Sequence, residues 1–104
     1  MLRSAETCQN MTDLRTAIDV LDSRIMTLLA QRARYIDRAV VIKSAANLPA
    51  RIDVRVEAVV QNARTNATAA GFDPALAETI WRQMIEWSIA REETAMAAQK
   101  EESK

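Results

Sequence analysis

Two basic residues lie where an amphipathic helix would normally carry apolar side chains. Arg32 and Lys43 interrupt a run in which apolar residues recur every three or four positions. At about 100° per residue, with Ile25 at zero, Arg32 falls at about −20° and Lys43 at about 0°. Arg15 lies at the edge of the same face, at about 80°. A cation on a buried face needs an anionic partner, so the spacing predicts either a buried ion pair or a bound anion.

The two explanations differ in what supplies the negative charge. Lys43 is close to the predicted helix end, where a long side chain can reach water, and Asp19 or Asp22 of a second copy could pair with Arg32. A small dicarboxylate would instead bring its own charge. Arginine suits such a ligand, because a guanidinium binds a carboxylate through two parallel hydrogen bonds.

A second polar pair occurs near the C-terminus. Ser88 and Glu92 are four residues apart, in line with Trp81 and Ile85, so they would share one face of a helix. The pattern alone favours a different interpretation, in which Glu92 belongs to the solvated run Arg-Glu-Glu at 91–93.

The composition excludes several classes of function. Fourteen basic residues balance fourteen acidic ones, so no overall charge favours nucleic acid or a membrane surface. The chain has no histidine, so the commonest general base and the commonest zinc ligand are both missing. It has a single cysteine, Cys8. We therefore expect no metal and no cofactor. No secretory signal or membrane-spanning stretch is visible, and we expect a cytoplasmic protein.

The first predicted helix is long for a chain of 104 residues. It would begin after Thr12 as N-cap and end at about Asn47, just before Pro49. Roughly 35 residues at 1.5 Å each give a rod of about 50 Å, longer than a compact monomer of this size. Its apolar face is made of Leu14, Ile18, Leu21, Ile25, Leu28, Ile36 and Ala39. A partner chain would cover that face, so we expect an intertwined helical homodimer.

Two further helices complete an all-α, three-helix domain over residues 1–104, with ends that fray at 1–11 and from about 97 to 104. The second helix is predicted from about Asp53 to Ala70, closed by Gly71. The third begins with Asp73 as N-cap and Pro74 in the first turn. The predicted inward faces are Val56, Val59, Ala63, Ala67 and Ala70 on the second helix, and Leu76, Ile80, Met84 and Trp87 on the third.

Residues 14–43, LRTAIDVLDSRIMTLLAQRARYIDRAVVIK, resemble the first helix of the all-helical chorismate mutases. The shared features are Leu-Arg, Ile-Asp, Leu-Asp, Leu-Leu and Ala-x-Arg, followed by a lysine eleven residues after that arginine. The later segments PARIDVR and MIEWSIAREE are also similar to that family. The resemblance implies an intertwined dimer of three-helix chains that rearranges chorismate to prephenate without a cofactor.

The resemblance also implies roles for six residues. Arg32, Lys43 and Arg55 would line one pocket, and Arg15 would enter it from the other chain. Arg15 and Arg32 would hold the two substrate carboxylates, and Ser88 would lie near the ring carboxylate.

Two of the six would act on the bond that breaks. Lys43 would donate a hydrogen bond to the ether oxygen, which gains negative charge as its bond to carbon breaks. Glu92 occupies the position of a second donor, which is often glutamine in the family.

Departures from the family pattern leave alternatives open. Ile52 and Val56 replace acidic residues that hold the ring hydroxyl of the substrate, and Glu92 replaces the usual glutamine. The run C-x-x-M-x-D-L-R from Cys8, together with Trp87, is similar to the isochorismate-pyruvate lyase subgroup, which forms salicylate and pyruvate. An aminodeoxychorismate mutase is a third possibility, and a non-catalytic helical dimerisation module is the alternative outside enzymes.

Overall fold

The computed structural model describes residues 2–102, and within them it contains three α-helices and no β-strand. Helix α1 spans Met11–Ala45, α2 spans Asp53–Ala70 and α3 spans Pro74–Glu102, with a short 3-10 helix at Ala5–Thr7. This confirms the all-α, three-helix prediction and the very long first helix. No helix in the described part of the chain has the length and hydropathy that crossing a bilayer requires.

The predicted N-cap of α1 is wrong by two residues. Asn10, not Thr12, caps the helix: its Oδ1 accepts the backbone N–H of Asp13 at 2.8 Å, and its carbonyl accepts that of Leu14 at 3.1 Å. The Asp13 carboxylate in turn accepts a hydrogen bond from the backbone N–H of Gln9 at 3.3 Å. Both Asn and Thr are good caps, and this second bond satisfies one more donor ahead of the first turn.

Helix α1 ends in a left-handed turn. Asn47 has φ 56°, and the backbone N–H of Leu48 donates to the carbonyl of Lys43 at 2.8 Å. The N–H of Asn47 donates to the carbonyl of Ser44 at 3.3 Å. This pair of bonds is the Schellman motif, which satisfies carbonyls at a helix C-terminus. The helix therefore stops at Ala45, close to the predicted end at about Asn47.

Helix α2 has the predicted bounds and ends in the same motif. Gly71 has φ 77°, its N–H donates to Thr68, and the N–H of Phe72 donates to the carbonyl of Ala67 at 2.8 Å. Helix α3 begins as predicted, because Asp73 Oδ1 accepts the N–H of Ala75 at 2.9 Å.

Gly71→Ala is expected to lower the free energy of unfolding by about 1–2 kcal/mol, the cost of placing a β-carbon in the left-handed region. A β-carbon built at Gly71 meets nothing within 4 Å, so the cost is purely conformational. Urea denaturation of the variant and the parent measures it. Equal midpoints and slopes would show that the turn relaxes without strain.

The chain divides into two compact units whose boundary, between Tyr35 and Ile36, lies inside α1. In the first unit the predicted apolar face of α1 is largely accessible. The exposed fractions are 46% for Ile18, 44% for Leu21, 48% for Ile25 and 63% for Leu28. Large apolar side chains at these levels of exposure are the kind that a partner chain covers.

In the second unit, α2 packs against α3 around a small core of Ala50, Val60, Ile85 and Ile89. Ala63 and Ala67 on α2 are buried, as predicted. Val60 is buried although it is outside the predicted face, and Ala70 is exposed although it is within it. Alanines on α2 allow close approach of α3 but bury little area, so the core stays small.

In the single chain the buried face of α3 differs from the predicted inward face. Leu76, Ile80 and Trp87 are 46%, 42% and 52% exposed. The buried residues of α3 are Ala77, Ile85, Ser88, Ile89 and Glu92. Apolar residues extend around more than one face of this helix, and the face that meets the alanines of α2 lies one residue further along. Helix α3 also continues past residue 97, where fraying was predicted, to Glu102, and residues 103–104 lie outside the described part.

Candidate active site

A largely buried ion pair in the second unit joins Lys43, near the end of α1, to Glu92 on α3. The Lys43 ammonium donates to Glu92 Oε1 at 2.8 Å and to the backbone carbonyl of Ala50 at 2.8 Å. The Glu92 side chain is 4% exposed and that of Lys43 is 20% exposed. A cation on the apolar face of α1 is therefore paired with a buried carboxylate of the protein.

The ion pair lies at the edge of the apolar core. Glu92 shares the buried face of α3 with Ile85 and Ile89, and these two pack with Ala50. Water is largely excluded there, so charges act on each other more strongly than at the surface. A lysine ammonium has three N–H donors, and this structure directs two of them to Glu92 and Ala50. One N–H of the ammonium remains beyond these two bonds.

The prediction that Glu92 belongs to a solvated run is wrong. Glu92 lies in the run 91–93, and its neighbours Arg91 and Glu93 are exposed, but Glu92 itself is 3% exposed. It is therefore not part of a solvated run. Ser88, one turn earlier on α3, is also buried, and its hydroxyl donates to the carbonyl of Met84 at 2.9 Å.

The remaining predicted site residues are three arginines. Arg55 is exposed in the first turn of α2, in the same unit as Lys43. Arg15 and Arg32 belong to the first unit, on α1, where Arg15 is exposed and Arg32 is partly exposed. The structure thus brings Lys43 and Glu92 into contact and buries Ser88 one turn away. The roles assigned to the three arginines remain predictions.

Sequence reasoning missed the carbonyl of Ala50, which accepts the second hydrogen bond from Lys43. A backbone acceptor carries no residue-type signal. The available hint is Pro49, which marks a turn close to Lys43.

A second cluster lies on the exposed side of α3. Arg91 donates to both carboxylate oxygens of Asp37, at 2.6 and 3.0 Å, and its guanidinium lies 5.4 Å from the centre of the Trp87 ring. The hydrogen bonds from Arg91 hold the pKa of the Asp37 carboxyl below its usual range. Both side chains are about half exposed, so this pair contributes little to stability.

Within residues 2–102 no group of three or more Cys, Asp or Glu side chains is placed to hold a metal ion. The arrangement at Lys43 supplies a fixed cation, a buried carboxylate and an apolar wall. Such a site can stabilise developing negative charge on a bound oxygen.

Comparison with known proteins gives two findings. Residues 14–93 match the family described as chorismate mutase type II. The chain is also similar to an isochorismate pyruvate lyase of Pseudomonas aeruginosa, with 33% identity over 92 residues, which cover 88% of this chain and 89% of the relative.

Proposed function

The chain belongs to the chorismate mutase type II family, and on that premise we propose that it rearranges chorismate to prephenate. The observation that carries the proposal is the buried contact of Lys43 with Glu92 and Ala50. The contact holds an ammonium at a largely buried position, where it can also stabilise negative charge that develops on an ether oxygen.

The chemistry suits the residues present. The rearrangement is pericyclic, so it needs no nucleophile and no proton shuttle. The enzyme has to hold a folded conformer of a dianion and stabilise negative charge on the ether oxygen as the bond to carbon breaks. In the proposal, the third N–H of Lys43 donates to that oxygen, and the apolar surroundings strengthen the interaction.

The two carboxylates of the substrate are assigned to the arginines. Arg32, together with Arg15 of a partner chain, would bind them through paired hydrogen bonds. Arg55 would add a further positive charge, and Ser88 would lie near the ring carboxylate. These assignments rest on the family resemblance.

We also propose that the enzyme is a homodimer, and we expect sedimentation at micromolar concentration to show only dimers. The large apolar residues Ile18, Ile25 and Leu28 on α1 are 46%, 48% and 63% exposed in the single chain, and a second copy would cover them. A folded monomer in this experiment would contradict the proposal and remove the role of Arg15 as a residue supplied by the partner.

Glu92→Gln is expected to raise mutase activity. The Glu92 carboxylate accepts a hydrogen bond from the Lys43 ammonium, but it would place negative charge beside an oxygen that is becoming negative. A glutamine can donate a hydrogen bond to that oxygen instead. Steady-state kinetics on the wild type and the variant measure the effect, and equal kcat in the two proteins would remove Glu92 from the reaction.

Isochorismate-pyruvate lyase activity is the second candidate, favoured by the 33% identity to a protein of that name. Both reactions break a carbon–oxygen bond to the same ether oxygen. Ile52 and Val56 offer no polar group to a ring hydroxyl, and isochorismate carries that hydroxyl on a different ring carbon. Product analysis separates the two: prephenate from chorismate supports the mutase, and salicylate with pyruvate from isochorismate supports the lyase.

A further inference from the structure

The backbone and the side chain of Lys43 are both hydrogen-bonded to the turn that follows α1. Its backbone carbonyl accepts the N–H of Leu48 at 2.8 Å, and its side-chain ammonium donates to the carbonyl of Ala50 at 2.8 Å. Ala50 is 6% exposed and packs in the core with Ile85 and Ile89. The position of the ammonium therefore depends on the path of the chain between Ala45 and Ala50.

One residue on that path has a left-handed backbone conformation. Asn47 has φ 56° and is the single non-glycine residue with positive φ in the described part of the chain, 2–102. Asparagine tolerates this conformation, whereas a β-branched residue is strongly disfavoured there. Leaving the left-handed region would break the bond from Leu48 to Lys43. Only three residues separate Ala46 from Ala50. A change of backbone conformation at Asn47 therefore cannot easily be compensated in this short segment, and it would displace the Ala50 carbonyl.

We propose that Asn47 is a positioning residue for the reaction: its left-handed turn places the Ala50 carbonyl on the Lys43 ammonium. That carbonyl and Glu92 then direct the third N–H of Lys43 toward the ether oxygen of the substrate. The inference rests on the proposed function and extends it to a residue that touches neither substrate nor ammonium. Misplacing a catalytic group by about 1 Å can lower a rate on the order of 10²-fold, so a turn that fixes the group matters to turnover.

The first test compares kcat in four proteins: wild type, Asn47→Val, Asn47→Gly and Gly71→Val. Asn47→Val is expected to lower kcat by roughly 10- to 100-fold with little change in KM, because the donor acts mainly in the transition state. Glycine adopts positive φ freely, so the Asn47→Gly variant should keep the kcat of the wild type. Gly71→Val imposes the same strain on the matching motif at the end of α2 and should leave kcat unchanged.

The second test does not depend on turnover. Brief labelling with acetic anhydride, read by mass spectrometry, compares the Lys43 amine with that of exposed Lys100 in the same molecule. Lys43 should label slowly in wild type, Asn47→Gly and Gly71→Val, and several-fold faster in Asn47→Val. If Asn47→Val does not fold, Asn47→Ala against Gly71→Ala gives the same comparison with less strain.

The outcomes separate the positioning role of Asn47 from the proposed enzymatic function. Faster Lys43 labelling and lower kcat in Asn47→Val, both reversed in Asn47→Gly, support the positioning role. Unchanged labelling in Asn47→Val, or an equal increase in Gly71→Val, overturns it. If wild-type protein consumes neither chorismate nor isochorismate, the proposed function fails, and the labelling pattern alone decides whether Asn47 positions Lys43.

Discussion

Lys43→Met is expected to lower turnover of chorismate by on the order of 10²- to 10³-fold, the usual effect of removing a donor to a developing oxyanion. It is also expected to lower the free energy of unfolding by about 3–5 kcal/mol, because a buried carboxylate loses its partner. That carboxylate belongs to Glu92, whose side chain is 4% exposed. Steady-state kinetics and urea denaturation measure both effects.

The double variant Lys43→Met/Glu92→Gln separates catalysis from stability. It leaves no uncompensated charge, so most of the stability should return, whereas turnover should stay low because the Lys43 ammonium is still missing. A Lys43→Met protein that loses stability but keeps its turnover would make the pair with Glu92 purely structural. If the partner of Lys43 were the substrate alone, replacing Lys43 would change the free energy of unfolding little. Because Glu92 is the partner in the structure, a large loss of stability is expected instead.

Arg32→Ala is expected to lower kcat/KM by about 10²- to 10⁴-fold, because hydrogen bonds to a charged group contribute about 1.5–3 kcal/mol each and two of them would be lost. Arg32→Lys should recover little of this, since an ammonium cannot form the paired bonds. Arg34→Ala is the matched control: Arg34 is exposed and lies about 160° away from Arg32 around the helix. Steady-state kinetics on all three variants measure the effect.

Two results would contradict the role of Arg32 in binding the substrate. Arg32→Ala protein with full activity and a large loss of thermal stability would show that Arg32 serves an ion pair of the fold. Equal losses in Arg32→Ala and Arg34→Ala would show a general effect of charge on binding.

The helix ends that were predicted correctly depend on local chemistry. Gly71 adopts φ 77° where a left-handed residue was expected, and Asp73 caps α3 ahead of Pro74. The start of α1 was missed because Asn10 and Thr12 are both good caps, and the choice depends on a bond from Gln9 to Asp13 that the sequence pattern does not reveal.

The packing of α3 could not be predicted from its own pattern. Leu76 and Ile80 form as regular an apolar row as Ile85 and Ile89, and the choice between them depends on the shape of α2. At the site, Lys43 was identified because it interrupts an apolar face. Burial of Glu92 follows from tertiary packing, which outweighs the polar character of its neighbours.

The most direct test of the central claim follows the absorbance of chorismate after addition of purified protein, in wild type and in the Lys43→Met/Glu92→Gln variant. Both proteins should be folded, so the comparison isolates the buried ammonium and its partner. The wild type is expected to consume chorismate with formation of prephenate, and the variant to be slower by on the order of 10²-fold or more. Equal rates in the two proteins, or a wild type that leaves both chorismate and isochorismate unchanged from mildly acid to neutral pH, would contradict the claim.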